Sequence, residues 1–136
     1  MAVIRGPCGE KIGTPSDVPA EDVVIAGQKL QGVKIRWLIR DSDGARAFAM
    51  RYFTVEPGAH IPAHKHPYEH EIFVVKGSMK VRIGEKTYEV KEGNFIFIPP
   101  NAVHEYWAGD SGVEFLCLIP LKPTVDESYE PCKGSG

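Results

Sequence analysis

Glycine and proline interrupt this chain every several residues, and that punctuation restricts it to short extended segments. There are 14 glycines and 11 prolines in 136 residues. No 3.6-residue apolar period persists over a helix-length window. Between the breaks lie short runs rich in Val, Ile, Phe and Tyr, which read as strands. The expected strands are 32–40, 45–55, 71–76, 79–83, 86–90, 95–98, 103–108 and 112–120. Asp43-Gly44, Gly84-Glu85 and Gly109-Asp110-Ser111-Gly112 carry the chemistry of tight hairpin turns. Many short strands without intervening helices predict an all-β antiparallel barrel or jelly roll.

The length suits one domain. The expected organisation is an irregular N-terminal arm over 1–28, a barrel over 29–121 and a loose polar tail over 122–136. Apolar residues make up 43% of the chain and charged residues 25%, with a formal charge of −2. Basic residues are scattered, which argues against nucleic acid as a partner. No apolar run is long enough for a helical membrane span. The start, Met1 to Pro7, lacks a basic segment followed by an apolar one, so a cytoplasmic location is expected. Cys8, Cys117 and Cys132 form neither a disulfide framework nor a CxxC pair and read as three reduced thiols. A link between Cys8 and Cys132 is the alternative.

Histidine is the informative residue type. Of five histidines, His60, His64, His66 and His70 fall within eleven residues, and the fifth is His104. Residues two apart on an extended chain share a face, with Cα atoms about 6.5–7 Å apart. His64 and His66 can therefore converge on one ion at N–metal distances of about 2.0–2.2 Å, with Lys65 pointing away. Pro67 holds His66 extended, and 67–69 can turn the chain to bring His70 onto the next strand. If His70 faces inward, Ile72 and Val74 form a dry wall beside it. His104 opens a later strand after a proline-stiffened turn that can return it to the first three. His60 sits just past the Pro57-Gly58 turn and is not counted as a ligand. The expected site is thus one divalent transition metal per chain on His64, His66, His70 and His104.

These residues fall into two motifs. Gly58-x5-His64-Lys65-His66-x3-His70-x6-Gly77 resembles cupin motif one, and Gly93-x5-Pro99-x4-His104 resembles motif two. Over about residues 45–120 the chain resembles small single-domain cupins of the manganese-binding, four-histidine type. The resemblance implies a double-stranded β-helix and favours Mn, with Fe, Ni, Cu, Co or Zn compatible with imidazole ligands. It also points to a homodimer. Both faces of several strands are apolar, Phe73 and Val75 opposing Ile72 and Val74, and Ile96 and Ile98 opposing Phe95 and Phe97, so a face left exposed would need a cover. There are departures from the family pattern. His70 stands where motif one usually has Glu, which removes the anionic ligand and leaves the metal its full +2 charge. Asn101 and Ala108 replace the usual Gly and Asn of motif two. Asn tolerates positive φ, so that turn is expected to survive.

Strand parity places Phe115, Cys117 and Ile119 on one face, which if inward would line the pocket. Arg51, Tyr52, Tyr106 and Trp107 are candidates for its mouth. No dinucleotide loop or other organic-cofactor motif is present, so the metal would carry the chemistry. The expected function is an oxidoreductase of dioxygenase type, acting with O2 on a small, partly apolar organic substrate. A non-enzymatic ligand- or metal-binding cupin and a Lewis-acid isomerase or lyase are the alternatives.

Overall fold

A computed structural model describes residues 2–132. Ten strands follow in order: β1 (Ile4–Arg5), β2 (Lys11–Ile12), β3 (Glu21–Ile25), β4 (Gln28–Ile39), β5 (Phe48–Val55), β6 (His60–His64), β7 (His70–Ile83), β8 (Lys86–Lys91), β9 (Phe95–Ile98) and β10 (His104–Pro120). Apart from two short 3-10 turns, no helix occurs among the described residues. None of the described residues forms a helix long and apolar enough to cross a membrane. The main sheet runs β3-β4-β5-β10-β7-β8, with β6 also paired to β10 and β9 to β7. Every pairing is antiparallel. This is the antiparallel barrel expected from the strand pattern, in the double-stranded β-helix form that the resemblance implies.

Period-two alternation fills the interior. Ala49, Arg51, Phe53 and Val55 of β5 point inward, as do Ile72, Val74, Met79 and Val81 of β7. Phe115 stacks on Phe53 at 4.9 Å between ring centroids and is 2% exposed, which places it at the core's centre. The outer faces of β7 and β9 leave Phe73, Phe95 and Phe97 exposed, Phe95 by 84%.

The segments expected as two pairs of strands, 71–76 with 79–83 and 103–108 with 112–120, are two long bent strands, β7 and β10. Both bend at one level. Gly77 has φ 81°, and a Cβ there would lie 2.1 Å from the carbonyl oxygen of Gly112. Residues 109–112 are therefore an irregularity within β10 rather than the expected hairpin turn: β10 stays paired with β7 on both sides of it. Gly84-Glu85 does close a tight hairpin, with Ile83 opposite Lys86. Asp43-Gly44 instead ends a short 3-10 turn over Asp41–Asp43 in a longer connection between β4 and β5.

The N-terminal arm is more regular than expected. β1 and β2 pair, and β3 joins the main sheet beside β4 through a turn at Ala26-Gly27, with φ 52° and 79°. The barrel thus begins before residue 29. Val23 and Ile25 supply the reason, since both pack against the core. The tail is also held rather than loose as far as it is described. The Asn101 side-chain amide donates to the carbonyls of Asp126 (2.9 Å) and Tyr129 (3.0 Å), and Thr124 N–H donates to the carbonyl of Pro67 (3.3 Å). Residues 133–136 of the expected tail lie outside the described residues. Asn101 has φ 64°, in keeping with the turn expected there. Cys8, Cys117 and Cys132 are unpaired, so no link joins Cys8 to Cys132.

Candidate metal centre

The strand ladder assembles the histidines. His64 ends β6 directly opposite His104, the first residue of β10. His70 opens β7, opposite Ile98 of β9. His66 lies in the link between β6 and β7, where its carbonyl accepts the Asn101 N–H at 2.8 Å. One ligand atom from each of His64, His66, His70 and His104 lies within 4.8 Å of the others. Nitrogens on opposite sides of an ion at 2.0–2.2 Å stand about 4–4.4 Å apart, so closure on a metal needs only a small contraction.

The hydrogen bonds show how well the cluster suits a metal. Nδ1–H of His64, His66 and His104 donates to the carbonyls of Pro62 (2.8 Å), Tyr68 (2.9 Å) and Ala102 (2.8 Å) respectively. Each of these bonds fixes the tautomer that leaves a lone pair on Nε2. Nε2 of His104 is buried without a partner. A buried unpaired nitrogen is costly, and a cation at the cluster centre satisfies it. Burial also favours the neutral form of His66, His70 and His104, the state a metal requires. It pushes His66 down to about 4 and His104 down to about 3, and it takes His70 well below its ordinary value. Neighbouring positive charge, chiefly from Arg51 and the other rings, adds to the shift in His70. The four histidines thus form a cluster that could hold a metal ion.

His60 lies apart. Its ring stacks on Trp107, and its Nε2 meets a Glu105 carboxylate oxygen at 2.5 Å. Arg82 donates to the other oxygen of the same carboxylate, so Glu105 orients no cluster ring. Burial, with Glu69 alongside, raises Glu71 to about 7.

A cavity of about 210 Å³ opens on His64, His66 and His70. Arg51, Tyr106, Phe115 and Cys117 line it. Ile119 does not: it lies one inward step further along β10, opposite Ala49, and packs against the edge of the core. Tyr52 and Trp107 also stand outside it. Tyr52 donates to Glu114 at 2.6 Å, and Trp107 lines a separate groove beside β8. The sequence reading missed Tyr68, whose ring stacks on His66 at 3.8 Å between centroids. It also missed Val23 and Ile25 of β3, which line the cavity. The signal for β3 is the apolar run Val23-Val24-Ile25.

Residues 51–119 match the sequence model of the cupin domain. This chain is a cupin. Among solved structures, the polyketide cyclase RemF from Streptomyces resistomycificus superimposes with a TM-score of 0.76 at 35% identity, covering 89% of this cupin and 87% of RemF. Rru_A2000 from Rhodospirillum rubrum, a cupin-2 domain, gives 0.70 at 22% identity over 84% and 76% of the two chains. Two curated proteins match shorter stretches. Mannose-1-phosphate guanylyltransferase RfbM of Salmonella typhimurium is 42% identical over 64 residues, 46% of this cupin and 13% of that enzyme. The 1-methylthio-D-xylulose 5-phosphate methylsulfurylase of Rhodospirillum rubrum is 30% identical over 71 residues, 52% and 46% of the two chains. The cupin thus spans less than half the length of either curated relative.

Proposed function

We propose that this cupin is a metal-dependent enzyme that takes a small, partly apolar organic substrate through an enol, phenol or carboxyl oxygen. The observation that carries this is the charge of the cavity. Its four candidate ligands are imidazoles with no carboxylate among them, and the Arg51 guanidinium, 8% exposed, adds a positive charge to the same wall. Arg51 hydrogen-bonds only His70 and Cys117 among the described side chains, and its Nε has no partner. Among the described residues no carboxylate lines the cavity to offset that charge. Buried charge without a counter-charge is costly, so an anionic oxygen on the substrate is the complement the site lacks. Phe53, Phe115 and Ile61 give the rest of that substrate an apolar surface and keep water out.

A divalent transition metal held here supplies Lewis acidity toward such an oxygen, or O2 chemistry if it is redox-active. Mn is the favoured metal, with Fe, Co, Ni, Cu and Zn compatible with the ligand set. Likeness to a polyketide cyclase over most of both chains supports ring closure or isomerisation of a carbonyl-rich molecule. The dry wall beside the cluster is what favours the second reading, a dioxygenase. The protein loaded with zinc, manganese or iron and offered 1,3-diketones, enols and phenols separates the two. Oxygen-independent turnover with zinc supports the first reading. Oxygen uptake confined to the redox metals supports the second. Metal and ligand binding without turnover under either condition makes this a binding protein. One metal per chain is expected by elemental analysis, lost in His66→Ala and His104→Ala and kept in His60→Ala. The exposed Phe73, Phe95 and Phe97 support assembly of two copies through the outer face of β7 and β9.

A further inference from the structure

One polar group of the cavity wall is neither a candidate ligand nor bonded to anything. Tyr106 lies on the inward face of β10, two residues beyond His104, and is 6% exposed. Its ring packs against Phe115 at 5.9 Å and against His104 at 5.8 Å between centroids. A phenylalanine would fill that space without burying a hydroxyl, which is costly when the hydroxyl lacks a partner. Among the described residues the Tyr106 hydroxyl has no hydrogen-bond partner. Other tyrosines differ: Tyr52 donates to Glu114, and Tyr88 and Tyr129 are exposed. Atoms both unpartnered and sealed from solvent do occur nearby, Arg51 Nε and His104 Nε2, but the Tyr106 hydroxyl is not one of them. The surface it keeps therefore opens on the cavity that Tyr106 lines.

A cavity of about 210 Å³ has room for water, which can serve this hydroxyl until a ligand enters. A ligand that displaces such a water without replacing its hydrogen bond loses affinity. The ligand must then bring an acceptor to Tyr106, besides the anionic oxygen drawn to the cluster and Arg51. Phe115, stacked on the ring, and Ile61, opposite it in the sheet register, offer no acceptor. A carbonyl, which needs only a donor, therefore suits this point better than a hydroxyl. We propose that Tyr106 is a substrate-binding residue whose hydroxyl donates to a carbonyl oxygen, and that the substrate is an oxo compound carrying its anionic oxygen a few bonds away. Alternate residues of a strand share a face, so His104 and Tyr106 are neighbours along β10 and one small molecule can reach both. This rests on the reading of the cavity as a site for an anionic oxygen, and it narrows that reading. Plain carboxylates and simple phenols leave Tyr106 unserved, whereas an oxo acid or the enolate of a diketone serves both points.

The test uses the full chain supplied with zinc, and calorimetry with two pairs of carboxylates of equal length that differ by one carbonyl: 4-oxopentanoate with pentanoate, and 5-oxohexanoate with hexanoate. At least one oxo acid should bind the parent about five- to tenfold more tightly than its partner, the factor for one hydrogen bond. Tyr106→Phe, which keeps the ring and its packing, should abolish that preference. Its affinity for the plain alkanoates, its zinc content and its far-UV circular dichroism should match the parent's, which separates a lost hydrogen bond from a damaged site. Binding of the carboxylates with no preference for either oxo acid, or a preference that survives in Tyr106→Phe, overturns the proposal alone. If none of the four carboxylates binds, the anionic-oxygen reading fails and takes the proposal with it.

Discussion

The histidine cluster should make the metal-free protein acid-sensitive, and His104 allows the size to be worked out. His104 is 1% exposed, and burial holds it at about 3 against an ordinary 6.5. Its folded value lies below the unfolded one, so on acidification the unfolded chain takes the proton first. Stability present at neutral pH is therefore lost as pH falls below about 6.5, and the loss levels off below about 3. From 6.5 to pH 5 is 1.5 units, which at 1.36 kcal/mol per unit is about 2 kcal/mol. His66 and His70 act in the same direction, and Glu71, raised to about 7, acts in the opposite one. A variant removes these shared contributions. Metal-stripped parent should lose about 2 kcal/mol more than metal-stripped His104→Leu between pH 7 and pH 5. For a chain of this length that corresponds to about 7 °C in Tm. Urea unfolding at the two pH values measures the difference. Parallel pH profiles for the two proteins would refute the claim that His104 is held neutral by burial.

Phe115→Ala should cost about 3–5 kcal/mol in urea unfolding, because the ring is 2% exposed and stacked on Phe53; a cost below 1 kcal/mol would contradict its central place. Asp43 binds Arg5 (2.8 Å) and Lys11 (3.0 Å), which outweigh its desolvation and hold it at about 2. Asp43→Asn should therefore speed tryptic cleavage after Arg5 and Lys11 while far-UV circular dichroism of the barrel stays unchanged. Unaltered cleavage would show that the arm is held by other contacts. Phe95→Lys combined with Phe97→Glu should leave a monomer by light scattering where the parent is a dimer, and a monomeric parent would remove the case for that face.

Period-two alternation and the Gly/Pro punctuation were enough to determine an antiparallel barrel, because inward and outward positions are written residue by residue along β5, β7, β9 and β10. Spacing picked out His64, His66, His70 and His104 because an extended chain repeats its facing every second residue. What spacing cannot carry is contact between distant segments. β3 was not among the expected strands because Gly6-Pro7, Gly13, Pro15 and Pro19 interrupt the pattern ahead of it, and its pairing with β4 is a contact the local sequence does not announce. Gly109 to Gly112 read as a hairpin, since nothing local reveals that β7 continues beside both halves of β10. The pairing of His70 with Arg51 and Cys117 joins three strands across sequence separations of 19 and 47 residues. Only the closed barrel sets those side chains together.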